Sequence, residues 1–182
     1  AYPQLLKMGT PLWKGGAGGD LKNNDQPWIK VYEFSEFLVK VAAFYPTNAI
    51  YSAKGVYHSS CHLLRGLGIS EEPRPLLKKI KGLELLETPA SDVCCGFGGV
   101  FSVKYPHVSA AITESKMKKM RLEEADAIVL NDAGCMLQIS GWLKKQGIKK
   151  EVLHLAQILD RSLKDNDAGN PLPLGEGRVR AL

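Results

Sequence analysis

The 182-residue chain is poor in cysteine, with four, at positions 61, 94, 95 and 135, and poor in aromatics, at 8%. So few cysteines in a chain long enough for a real core argue against an exported disulfide scaffold. Adjacent Cys94 and Cys95 cannot bridge each other without strain. Long hydrophobic runs are missing too. The longest mostly apolar stretch, Val31 to Tyr45, is broken by Glu33, Glu36 and Lys40; it is too short and too charged to span a bilayer, which needs about 20 apolar residues. The start, Ala1-Tyr2-Pro3-Gln4, lacks the basic-then-apolar pattern of a secretory signal. Gly96-Phe97-Gly98-Gly99-Val100-Phe101 has no third glycine at the dinucleotide position and no acidic partner downstream. There is no Walker-type loop and no Gly-x-Ser-x-Gly elbow, so NAD or ATP held by this chain is not expected.

What remains is an ordinary globular composition. A hydrophobic content of 45% excludes a wholly disordered chain. The net charge of +5 comes from scattered lysine pairs at 78–79, 118–119, 144–145 and 149–150, each in or beside a predicted helix. They read as solvated faces, and no aromatics interleave them as a nucleic-acid groove would require. The field would still favour an anionic partner.

Residues 1–27 are rich in turn chemistry (Gly15-Gly16-Ala17-Gly18-Gly19, then Asp20, Asn23, Asn24, Asp25 and Pro27) and read as an irregular segment. Val31, Phe34, Leu38, Val41 and Tyr45 recur at helical steps, predicting an amphipathic helix. A short strand is expected at Gly55–His58 and a short helix closing near Gly66 or Gly68. From Pro73, Leu76, Leu77 and Ile80 form a helical stripe with Gly82 as its C-cap, followed by a strand at Leu83–Leu86. Val108, Ala111, Ile112 and Ser115 mark a helix running to about Glu124. Ala127–Leu130 is a strand of the kind buried on both faces. A helix starting at Cys135 carries Ile139, Trp142 and Leu143 as core residues. Val152–Leu155 is a strand, and a last helix carries Ile158, Leu159 and Leu163. The alternation predicts a layered α/β domain over 28–163 with a largely parallel sheet, and a tail from 164 to 182. In such folds the loops after the strands gather at the strands' carboxyl edge. Each cysteine-bearing loop follows a predicted strand, so the four sulfurs should meet there.

Four convergent thiolates suit a tetrahedral zinc ion or a four-iron cluster, and inert buried thiols are the plain alternative. Gly96, Gly98 and Gly99 let the Cys94–Cys95 loop pass close to a bound centre, and backbone N–H groups aimed at the sulfurs would stabilise its negative charge. A helix starting near Cys135 would point its N-terminal dipole at the same charge. His58 and His62 flank Cys61 and stand either beside the ligands or among them. For His107 and His154, core or surface roles suffice.

Taken in order, Ser59-Ser60-Cys61-His62, the string Cys94-Cys95-Gly96-Phe97-Gly98-Gly99-Val100-Phe101-Ser102-Val103-Lys104, and Asn131-Asp132-Ala133-Gly134-Cys135-Met136 resemble the cysteine-rich CCG domain. That family supplies iron–sulfur subunits to oxidoreductases, including heterodisulfide reductase and systems of lactate utilisation, whose members the 94–104 string is most similar to. The resemblance implies an iron–sulfur cluster, of the 4Fe-4S type, held by Cys61, Cys94, Cys95 and Cys135, with Gly96, Gly98 and Gly99 shaping its pocket. It also implies electron transfer in a cytoplasmic system that oxidises L-lactate to pyruvate, with other iron–sulfur subunits as partners and neither nucleic acid nor membrane insertion. A zinc-binding structural or assembly module and a thiol–disulfide enzyme of the heterodisulfide-reductase kind are the competing readings. Two departures stand out. The family's pattern usually occurs twice in a chain but here once, and Tyr2-Pro3-Gln4-Leu5 resembles the stretch just beyond a first repeat, so this is expected to be the second half of a longer protein. Many members end in Cys-x-x-Cys, whereas here Gln138 follows Cys135-Met136-Leu137. Four thiolates favour a single four-iron cluster or a zinc ion over clusters that need five.

Overall fold

The computed structural model describes residues 31–168, so the irregular segment 1–27 and the end of the expected tail lie outside the described residues. Four strands, β1 (Ile50–His58), β2 (Lys81–Leu86), β3 (Ala127–Leu130) and β4 (Glu151–His154), form one all-parallel sheet in the order β2-β1-β3-β4. The helices are α1 (Phe34–Glu36), α2 (Pro73–Lys78), α3 (Val100–Lys104), α4 (Pro106–Met117), α5 (Ala133–Lys145) and α6 (Leu155–Ala168). The expected α/β layering is present, with helices on both faces of the sheet.

Strand β3 shows why. All four of its residues are buried, Ala127 and Val129 toward one layer and Ile128 and Leu130 toward the other. On the first face Leu76 and Leu77 beside α6's Ile158 and Leu159 pack on Tyr57 and Val129. On the second, Met117 of α4 and Ile139 and Leu143 of α5 pack on Val56 and Ile128. Each such apolar side chain contributes about 1.5–3 kcal/mol on burial.

The connectivity places the site. From β1 the chain moves outward to β2 through α2; from β3 it moves outward to β4 through α5, on the opposite face. The carboxyl ends of β1 and β3 therefore form a topological switch point, where open α/β sheets take their ligands. Among the described residues no helix is long and apolar enough to cross a membrane.

Several local expectations are corrected. The helix expected from Val31 to Tyr45 is only α1, N-capped by the Glu33 carboxylate, which accepts from the N–H groups of Ser35 and Glu36 at 2.8 and 3.2 Å. It runs into a wide π turn, Phe37–Val41. Leu38, Val39 and Phe44 reach the core, while Val31, Phe34, Val41 and Tyr45 stay exposed, so the apolar spacing did not mark a buried stripe. Strand β1 starts at Ile50 rather than Gly55; its first half pairs with β2 alone and is only half-buried, which hides it from a hydrophobicity reading. Gly82 caps no helix. It lies inside β2 at φ +83°, opposite a break in register, where a Cβ would come 2.9 Å from Ser52 Oγ. The expected helix to Glu124 stops at Met117, and α3 precedes it. Helix α5 starts at Ala133, capped by Asp132, so Cys135 sits in its first turn. Strand β4 ends at His154, and Leu155 opens α6. The short helix after Cys61 is a π turn, His62–Leu67, closed by left-handed Gly68.

Candidate metal centre

Three adjacent strands deliver the sulfur atoms. β1 ends at His58, and after the buried Ser59 and Ser60 the chain reaches Cys61 at the mouth of the π turn. The connection leaving β2 carries Cys94 and Cys95, and Cys135 follows β3. Cys95 and Cys135 are buried, Cys61 and Cys94 half-buried, and all four are free thiols. The Cys95 and Cys135 Sγ atoms lie 3.0 Å apart in hydrogen-bond contact. A ring nitrogen of His58 joins them, the three donor atoms lying within 4.8 Å of one another. Cys61 and Cys94 lie outside this three-residue cluster; the Cys61 thiol is hydrogen-bonded to Cys94 and within electrostatic reach of Cys95.

Backbone and hydroxyl groups are turned toward these sulfurs. Gly96 N–H lies 3.4 Å from Cys94 Sγ, Phe97 N–H donates to Cys95 and His62 N–H to Cys61, and Ser60 Oγ stands 3.8 Å from Cys135 Sγ. The Cys135 thiol, followed by His58 and the Phe97 N–H, holds the Cys95 pKa well below the usual thiol range. The Cys135 thiol is pushed far up by its bond to Cys95, by burial and by Asp132. The two inner thiols are thus coupled, and ionising one disfavours ionising the other. Burial, then the Cys94 and Cys95 sulfurs, raise the Cys61 thiol. Such mutual suppression of ionisation is relieved when a cation replaces the protons.

The turn at Cys94–Cys95 is tied down from α4 and α5. Ser109 Oγ donates to the Gly96 carbonyl and Thr113 Oγ1 to the Cys95 carbonyl, both at 2.8 Å. The Gln138 amide donates in turn to Ser109 Oγ at 3.0 Å and Thr113 Oγ1 at 2.8 Å. Position 138, where a second cysteine would complete Cys-x-x-Cys, therefore spends its side chain on α4. Gly96 stands at φ +89°, where a Cβ would lie 2.5 Å from the Ser109 carbonyl oxygen, so no side chain fits. Gly98 and Gly99 continue the turn, and Gly99 caps α3. The Phe97 ring covers Gly134 so closely that a Cβ there would meet it at 2.6 Å.

Sequence reasoning overlooked Lys116. It is fully buried, and its Nζ donates to the carbonyls of Ala90 and, at 2.8 Å, Val93, closing the turn that leads into Cys94. Burial pulls its pKa down to about 8, while the Cys95 and Cys135 sulfurs and Asp92 act in the opposite direction. The available signal was the spacing of Ser109, Thr113 and Lys116, which puts them on one helical face. Val108, Ala111, Ile112 and Ser115, the spacing that marked this helix in the sequence, face outward except for half-buried Ile112. Of the other histidines, His62 has an exposed side chain, as does His107, and His154 Nε2 bonds to the Asn131 carbonyl at 3.1 Å. Trp142 is half-buried at the edge of the core.

The donor chemistry fits a metal. Soft sulfurs and an imidazole suit zinc or iron–sulfur centres, and His58 Nε2 is a buried atom with no hydrogen-bond partner among the described residues. A thiol–disulfide role through Cys95 fits poorly, because Cys95 is only 2% exposed and a reactive thiol must be reached; Cys94 is half-buried.

Comparison with known proteins agrees. Lactate utilization protein A of Lysinibacillus sphaericus is 38% identical over 159 residues, 87% of this chain and 66% of that protein. The proteins of the same name from Oceanobacillus iheyensis and Bacillus velezensis are 35% and 39% identical over 87% of this chain, covering 62% and 63% of their own lengths. The aligned chain thus spans just under two thirds of these relatives. Residues 56–140, which hold all four cysteines, match the family model of the cysteine-rich domain CCG, and the chain belongs to that family.

Proposed function

We propose that this chain is the electron-relaying part of an iron–sulfur subunit in a cytoplasmic system that oxidises L-lactate to pyruvate, working beside other iron–sulfur subunits. The observation that carries the reading is the buried cluster of His58, Cys95 and Cys135 at the sheet's switch point, with Cys61 and Cys94 alongside it, in a family whose relatives here are named for lactate utilization. Cys61, Cys94, Cys95 and Cys135 would hold the cluster. An iron–sulfur cluster, when bound, accepts and passes on single electrons. The chain's own residues bind and tune. The N–H groups of His62, Gly96 and Phe97 stabilise sulfur charge, and the Lys116 ammonium offsets part of it from beneath. Burial of Cys95 and Cys135 keeps water from the inner half of the site.

The test is an anaerobic assay of iron, acid-labile sulfide and zinc on the purified chain, with its visible spectrum. Iron and sulfide in cluster proportion, with a broad visible band that bleaches on reduction, support the relay. Stoichiometric zinc with neither iron nor sulfide sinks it and leaves a structural zinc module, a reading that the mixed nitrogen and sulfur donor set favours.

A further inference from the structure

The four-cysteine donor set leaves out one buried group, which already acts on the Cys95 thiol. His58 ends β1 at the centre of the sheet, registered against Leu130, and is fully buried. Its Nδ1 lies 3.0 Å from the Ser91 carbonyl oxygen, which can only accept, so Nδ1 carries the proton and donates. That carbonyl is itself fixed, since it also accepts from Ser59 N–H at 2.8 Å and lies 3.5 Å from Lys116 Nζ. In the neutral ring this leaves the lone pair on Nε2. Nε2 is buried and has no hydrogen-bond partner among the described residues, while the Cys95 and Cys135 sulfurs stand within 4.8 Å of one of the two ring nitrogens. A bare buried acceptor of this kind destabilises the fold unless something satisfies it.

We infer that His58 Nε2 is itself a ligand, making the centre a mixed imidazole–thiolate site; the inference rests on the proposal that the cysteines hold a metal. A metal-bound histidine characteristically donates its second ring N–H to a carbonyl, which fixes tautomer and orientation, and the His58–Ser91 bond has this form. Coordination would satisfy the one polar ring atom the protein leaves unpaired. It also explains how the site fills its inner side. There Cys95 and Cys135 supply sulfur, residue 138 supplies none, and the Gln138 amide is committed to Ser109 and Thr113. The competing role is hydrogen bonding, in which a protonated ring donates from Nε2 to Cys95.

Two measurements on the full chain decide. In protein loaded anaerobically with iron and sulfide and then reduced, pulsed electron paramagnetic resonance should show a strongly coupled nitrogen. Its pattern changes when histidine is labelled with the heavy nitrogen isotope, without any mutation. The signal is lost in His58→Gln and kept in His62→Gln. In zinc-loaded wild-type protein, X-ray absorption should show one nitrogen at about 2.0–2.1 Å beside sulfurs at about 2.3 Å. An all-sulfur shell, or a nitrogen signal that survives His58→Gln, overturns the inference while leaving the metal centre in place. Retention of zinc alone, with the nitrogen present, overturns the iron–sulfur reading and keeps His58 as a ligand. Failure to bind either metal overturns both.

Discussion

The two faces of the sheet bury different chemistry. On one, α2 and α6 cover Tyr57, Val129 and Leu153 with leucine and isoleucine. On the other, α4 and α5 bury Cys95, Cys135, Ser109, Thr113 and Lys116 alongside Met117 and Ile139. The same strands serve both, since alternate residues of β3 point each way. The contrast teaches that here the sheet is a partition: both faces carry an apolar core, but the donors gather on only one of them. The polar groups of the second face are bearable because they are spent on the cysteine loop, where Lys116, Ser109 and Thr113 each donate to its carbonyls. If the partition is real, changes on the two faces should separate in their readouts.

The largest expected effect is on metal retention. Cys95→Ser keeps the side chain's size but replaces the buried thiolate with a harder, neutral oxygen. Most of the bound metal should be lost, measured as metal per chain after gel filtration, while the far-ultraviolet circular dichroism is kept. Unchanged metal content would show that Cys95 is not a ligand. On the opposite face, Ile158→Ala should cost about 2–5 kcal/mol of stability by cavity formation, read from denaturant unfolding, with metal stoichiometry unchanged. Loss of metal in that variant would mean the faces are coupled and the partition is wrong.

How far this was legible in the sequence follows the same division. Ala127-Ile128-Val129-Leu130 announces a doubly buried strand, and the stripes of α2 and α6 announce their core faces, because hydrophobic burial writes itself into composition. The meeting of Cys95 and Cys135 was legible from topology, because loops after parallel strands share one edge, whereas the place of His58 beside them was left open. Helix α4 was not. Its buried face is polar, and its valine and alanine at 108 and 111 look outward, so periodicity pointed to the wrong side. Only the carbonyls of a loop distant in sequence decide that Lys116 belongs inside, and such partners leave no mark on the helix itself. The π turns at Phe37–Val41 and His62–Leu67 escaped for a related reason, since their side-chain spacing departs from 3.6.

Lys116→Met sharpens the contrast on the polar face, because methionine fits the space without the ammonium. It leaves the Ala90 and Val93 carbonyls without their donor, at a cost of about 1–3 kcal/mol. Metal affinity should fall about 10–100-fold, as when groups that orient ligands are removed. The pH dependence gives a second readout. The folded pKa of about 8 lies below the unfolded 10.5, so between those values the unfolded chain binds the extra proton. Stability of the metal-free protein therefore rises with pH across that window, while below about pH 8 both states are protonated and the burial cost is constant. Cys94, Cys95, Cys135 and Asp92 also act on Lys116, so the comparison is with the variant. The difference between the wild-type and Lys116→Met unfolding curves should carry this rise; a flat difference would place the ammonium elsewhere.

The smallest effect is expected at Gln138. Its amide reaches the cysteine turn only through the Ser109 and Thr113 hydroxyls, which keep their own bonds to the Gly96 and Cys95 carbonyls when the amide is removed. Gln138→Ala should therefore cost about 1 kcal/mol, the net value of ordinary hydrogen bonds. Metal per chain should be unchanged, because no donor atom is lost and the turn stays pinned from α4. A drop in metal content as large as that of Cys95→Ser would show that the side chain at 138 enters the centre, and the polar face would then have to be redrawn with a second inner ligand on α5 beside Cys135.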